Sequence, residues 1–102
     1  MRIRSPGTGP FILNASDLFA ANYNKLAPAL SPRVDDFCDA IAWHAERGSP
    51  LGQQLPQSPG FYVATLPPFK NGTKVRILYG IDSKRRRVGL HSLSVTSGSV
   101  SP

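Results

Sequence analysis

Seven cations and a histidine crowd one stretch of this 102-residue chain: Lys70, Lys74, Arg76, Lys84, Arg85, Arg86, Arg87 and His91, with Asp82 the one carboxylate among them. The preceding 69 residues hold five basic and five acidic side chains, so the formal net charge of +6 arises entirely from position 70 onward. Ammonium and guanidinium groups gathered in this way bind phosphate oxygens. A basic field confined to one part of a small fold is how such a protein holds a polyanion. Nucleic acid is therefore the first partner the residues imply.

Arg76 is the most specific of these groups. It stands between Val75 and Ile77, and an unpaired buried charge is costly, so it must meet water, a carboxylate or a ligand phosphate. Its planar fork suits phosphate; a structural salt bridge to a helix acid is the competing reading. Lys74 adjoins it, and Lys70 precedes both. The run Lys84-Arg85-Arg86-Arg87 falls at a chain reversal. There it is either a solvated tip or a set of phosphate contacts, which fix position on a backbone and read no bases. His91 is either a structural strand residue or an acid or base for RNA cleavage beside Arg76 and Lys74. Cys38 lies on an apolar helix stripe and reads as a small core residue. No glycine-rich phosphate loop, carboxylate pair or metal-ligand spacing occurs, so neither cofactor nor metal is expected.

The positioning elements follow from periodicity. Residues 1–10, rich in Pro, Gly, Ser and Arg, predict an irregular arm, and residues 96–102 (TSGSVSP) a disordered tail. Between them, residues 11–95 are expected to form one domain, with room for a modest core. Phe11-Ile12-Leu13 predicts a short strand. Ser16-Asp17 then offers an N-cap and a first-turn acid, Phe19, Tyr23 and Leu26 follow at helical spacing, and Pro28 stops the helix. Ser31-Pro32 opens a second helix, with the serine hydroxyl as cap and Asp35 and Asp36 in the first turn. Val34, Phe37, Cys38, Ile41 and Ala45 form its apolar stripe. Trp43 lies off that stripe, either covered by the first helix or left for a partner, and His44 is expected to be half-buried.

Residues 51–60 read as a connector. After it, residues 61–66 (FYVATL) and 73–81 predict strands, joined through the hairpin signal Asn71-Gly72. Val75, Ile77, Tyr79 and Ile81 alternate with Lys74, Arg76, Leu78 and Gly80, and a last strand covers residues 87–95. The predicted fold class is α+β: a short N-terminal strand and a helical hairpin packed on a three- to four-stranded antiparallel sheet, in the order β-α-α-β-β-β. No apolar run approaches the roughly 20 residues of a membrane span. Residues 1–13, charged but without an apolar stretch of roughly 7–15 residues after them, are not expected to act as a secretory signal. The single cysteine agrees with a reducing, cytoplasmic setting.

Three features resemble the RelE/ParE superfamily of small bacterial toxins, including its HigB-like branch. One is the N-terminal strand with its helical hairpin. Another is the strand that opens with Gly60-Phe61-Tyr62 and ends in Leu66. The third is Val75-Arg76-Ile77-Leu78-Tyr79, followed by a polar turn and Val88-Gly89-Leu90-His91-Ser92-Leu93; it is similar to the superfamily's Y-R-hydrophobic-hydrophobic-Y strand and its partner. Leu90-His91 is also similar to the LLH of the HigB-like branch. The resemblance implies a ribosome-dependent endoribonuclease or a gyrase inhibitor, neutralised by an antitoxin segment lying across the sheet, with RNA or the ribosome as target. In the ribonuclease members basic side chains clamp the scissile phosphate, and Arg76 matches the strand arginine in position. Lys74 follows as an adjacent candidate. Val63 and Thr65 stand where those members tend to place lysine or arginine, and the last strand lacks their terminal basic cluster. A catalytically inactive module of the same fold, binding a protein or nucleic acid, is the alternative.

Overall fold

A computed structural model describes residues 10–67, 69 and 72–96. Its elements are β1 (Ile12–Ala15), α1 (Asp17–Asn24), α2 (Ser31–Glu46), β2 (Gln53–Leu55), β3 (Ser58–Thr65), β4 (Lys74–Asp82) and β5 (Arg87–Thr96). Most of the expected arm, all of the tail beyond Thr96, and Lys70 and Asn71 lie outside the described residues.

The α+β class holds, and the element order holds apart from one added strand, in a sheet that is larger than expected and mixed rather than antiparallel. Five strands run in the order β1-β5-β4-β3-β2. β1 lies parallel to β5, and the other neighbours are antiparallel. The additional strand is β2, inside the segment read as a connector. Gln53-Gln54-Leu55 has no apolar alternation, and its ladder to β3 shifts register after Gln54. The chain enters β2 at Gly52 (φ +88°), where an added Cβ would stand 2.2 Å from the Val63 carbonyl oxygen, so only glycine passes there.

α1 is capped as the sequence predicts: the Phe19 amide donates to Ser16 Oγ at 3.0 Å. The helix has eight residues, shorter than the spacing to Leu26 suggests, and ends before Pro28. α2 begins differently. Leu30 is its N-cap with no side-chain hydrogen bond, Ser31 is already helical, and no acid falls in the first turn. Asp35 instead accepts from the Tyr23 hydroxyl at 2.7 Å, tying α1 to α2.

The helices cover one face of the sheet. Val34, Cys38, Ile41 and Ala45 of α2 pack with Phe19 of α1 against Val75, Ile77 and Tyr79 of β4 and Val88, Leu90 and Leu93 of β5. Burial pushes the Cys38 thiol up to about 12, with Asp35 and Asp39 adding to the rise. The native thiol should therefore resist a disulfide reagent at neutral pH and react freely in denaturant; rapid labelling of the folded chain would contradict this packing. No described helix is long and apolar enough to cross a membrane.

Candidate nucleic-acid interface

Among the described residues the opposite face of the sheet carries no helix, and strand alternation sorts the chemistry onto it. In β4, Val75, Ile77 and Tyr79 are fully buried, which turns Lys74, Arg76, Leu78 and Gly80 to the open side. Arg76 sits between Thr65 of β3 and Ser94 of β5 in the ladder. It is exposed, and no carboxylate pairs with it among the described residues. The salt-bridge reading is thus not met there, because the described acids of the two helices lie across the sheet from it. Lys74 shares its face two residues away, about 7 Å along the strand.

The cation run divides in the turn after β4. Lys84 and Arg85 are exposed at the tip, where Arg85 makes a 3.9 Å ion pair with Asp82. Such an exposed pair contributes under about 1 kcal/mol. Arg86 takes a left-handed conformation (φ 55°), and its guanidinium lies 5.0 Å over the Phe11 ring. Arg87 pairs with Asp82 in the ladder and lies on the open face. Asp82 is six residues beyond Arg76, so the turn stands about 20 Å from the strand cations. The face is therefore basic at both ends rather than uniformly so.

His91 reaches the open face through a β-bulge. Tyr79 pairs with Leu90 and Leu78 with Ser92, so His91 is the extra residue of β5. The bulge puts Leu90 and Leu93, three apart, on the same buried face. α1 fixes it in place: Ser16 Oγ donates to the His91 carbonyl at 2.7 Å, and Asn22 Oδ1 accepts from the Leu93 amide at 3.2 Å. The imidazole lies across Gly80 and Gly89, with Nε2 3.3 Å and 3.6 Å from where a Cβ would stand at each. Phe61 of β3 is beside it, ring centroids 5.0 Å apart. Gly80 is four residues from Arg76, about 13 Å along β4. His91 thus shares the face with Arg76 and Lys74 but is seated away from them.

Sequence reasoning missed β2, the bulge and the Phe61–His91 pair. The signal that could have found the last two is a pair of mid-strand glycines, Gly80 and Gly89, since such glycines mark bulges and close approaches. Trp43, left open above, is half-buried with the Arg47 guanidinium 5.9 Å over its ring, and His44 is half-buried as expected.

No protein-family model matches this chain, and no curated protein does. Solved structures do. The chain superposes on the RelBE2 toxin-antitoxin complex of Mycobacterium tuberculosis with a TM-score of 0.66 and 21% identity, covering 85% of this chain and 99% of that one. The intact Escherichia coli RelBE toxin-antitoxin complex gives 0.63 and 13%, over 90% and 99% of the two chains. The isolated E. coli RelE toxin gives 0.60 and 16%, over 89% and 87%. At these identities the likeness is one of architecture, and it extends over nearly the whole of each partner. This chain has the RelE fold.

Proposed function

We propose that this chain is the toxin of a toxin-antitoxin pair and cleaves messenger RNA on the ribosome, with Arg76 as the phosphate clamp. One observation carries the reading: on the uncovered face of a RelE-type sheet stands an exposed mid-strand arginine with no carboxylate partner among the described residues. In the reaction a ribose 2′-oxygen attacks the adjacent phosphorus and the 5′-oxygen of the next nucleotide leaves. Charge gathers on the non-bridging oxygens, and the Arg76 fork, with Lys74 beside it, is placed to neutralise it. A preorganised donor of this kind contributes about 10²- to 10³-fold in rate. His91 is left out of the proton transfers, because its ring is laid against Gly80 and Gly89 about 13 Å along the strand. The proton from the 2′-hydroxyl and the one gained by the leaving oxygen then pass through groups that the ribosome supplies, which is how the chemistry would come to depend on it. An antitoxin lying across this face would cover Arg76; the similar structures include two toxin-antitoxin complexes.

The test is induced expression in bacteria with mapping of messenger RNA ends. Growth arrest with new in-frame ends supports the assignment. Arrest with intact messenger RNA and stalled replication redirects it to a gyrase-directed poison. A second reading, a catalytically silent binding module, is favoured by one feature: Val63 and Thr65 of β3 and Ser92, Ser94 and Thr96 of β5 bring no cation to the face. Normal growth with intact messenger RNA is its expected outcome.

The turn cations make a separate prediction. The logarithm of the affinity for single-stranded RNA should fall linearly with the logarithm of salt concentration, by about 0.7 per phosphate neutralised. The Lys84→Gln/Arg85→Gln pair should flatten that slope by about 0.7 for each lost contact, without changing sequence preference. An unchanged slope in filter-binding titrations would make the turn a solvated tip.

A further inference from the structure

A shallow open pocket of about 280 Å³ occupies the end of the uncovered face remote from Lys74. Its wall is the Phe61–His91 ring pair, and the backbone of Gly80 and Gly89 is its floor. Glycine at position 80 lets the rings lie close to the backbone: a Cβ there would stand 3.1 Å and 3.2 Å from Phe61 ring carbons and 3.3 Å from His91 Nε2, tight enough that the rings would have to shift. A Cβ at Gly89 would meet His91 Nε2 at an ordinary 3.6 Å. Asn14, Asp82 and Arg87 complete the rim. Phe61 is one of the four large apolar side chains left exposed among the described residues, at 36%. Two rings tilted 37° to each other beside the glycine backbone, next to an amide, a carboxylate and a guanidinium, present what an unpaired base uses. It has a π-face to stack on, donors and acceptors for its edge, and a cation for its phosphate. The volume falls just below the roughly 300 Å³ at which drug-sized pockets begin, which suits one base rather than a duplex.

We infer that the Phe61–His91 pair is a stacking platform for a single unpaired nucleobase, with Arg87 at its phosphate and Asn14 and Asp82 at its edge. The inference rests on the reading that the open face holds RNA and deepens it: a strand clamped at Arg76 would run along β4 toward this platform, about 13 Å away. The bulge is then a positioning device, since without the extra residue His91 would not lie beside Phe61 while Leu90 and Leu93 both stay buried.

The experiment is titration of the isotopically labelled chain with each of the four ribonucleoside 5′-monophosphates, followed by amide NMR, with inorganic phosphate as control. Ring-current shifts centred on Phe61, Gly80, Gly89 and His91, saturating at millimolar nucleotide and absent with inorganic phosphate, are expected. Phe61→Leu keeps the apolar bulk but removes the π-face, and it should weaken binding about tenfold or more. Phe61→Trp should tighten it. Shifts confined to Arg76 or the turn, shifts that inorganic phosphate reproduces, or affinity indifferent to Phe61→Leu in a variant with a native-like spectrum would overturn the platform. No ribosome or cleavage enters this measurement. Nucleotide binding without messenger RNA cleavage in cells would therefore keep the platform and remove the toxin reading, and cleavage without binding here would do the reverse.

Discussion

Arg76→Ala is expected to abolish growth inhibition while leaving the fold intact. The side chain is exposed, its ladder neighbours are Thr65 and Ser94, and no ion pair is lost among the described residues. Its removal should therefore change stability by no more than about 0.5 kcal/mol. The cost falls on the reaction: losing a positioned donor to the developing phosphorane charge lowers the cleavage rate by about 10²- to 10³-fold. Arg76→Lys should recover part of that, since it keeps the charge but not the two-pronged geometry. Quantitative mapping of messenger RNA ends, at matched levels of folded protein, reads all three chains. A fully toxic Arg76→Ala variant would sink the assignment.

Tyr79 should show the largest effect on stability. It is fully buried at the centre of β4, stacks on Tyr62 with centroids 5.6 Å apart, and its hydroxyl donates to the Leu51 carbonyl at the entry to β2. Tyr79→Ala should cost about 3–5 kcal/mol in denaturant unfolding, a large share of the roughly 5–15 kcal/mol available to a domain. Tyr79→Phe separates the hydroxyl from the ring. It leaves the Leu51 carbonyl without that donor and should cost about 1–3 kcal/mol. The pH dependence follows the same contact. Burial, with Tyr62 adding, pushes the Tyr79 phenol up from 10 to about 12. Its contribution to stability is complete below pH 10 and is lost as the pH rises toward 12, because the unfolded chain releases the proton first. Cys38 titrates over part of the same range, so the parent's steeper alkaline loss relative to Tyr79→Phe isolates the tyrosine. Identical alkaline profiles for the two chains would show that the phenol is not buried as described.

The parts of the fold legible in advance were those whose signal is local. The Ser16 cap, the stripe of Val34, Cys38, Ile41 and Ala45, and the alternation of Val75, Ile77 and Tyr79 all appear where periodicity put them, because each is set by neighbours one to four residues away. The same alternation placed Lys74 and Arg76 together on one face. The Ser31 cap failed because the N-cap of α2 falls one residue earlier, at Leu30, and Asp35 is engaged by Tyr23 from another element.

What only the tertiary structure decided is which face stays open and what lies side by side on it. β2 has no pattern of its own, and its three residues are strand because β3 offers them a ladder. The bulge at His91 exists because β4 and α1 take up its neighbours from both sides, and no spacing within β5 records that. Phe61 meets His91 from a position thirty residues earlier, over a glycine on a third strand. Composition and spacing thus determined the charge, the helices and the phase of Arg76. Long-range pairing determined that the cations stand at two ends of one uncovered face, with a pair of rings between them, since a side chain's neighbours across a sheet are set by register and not by sequence distance.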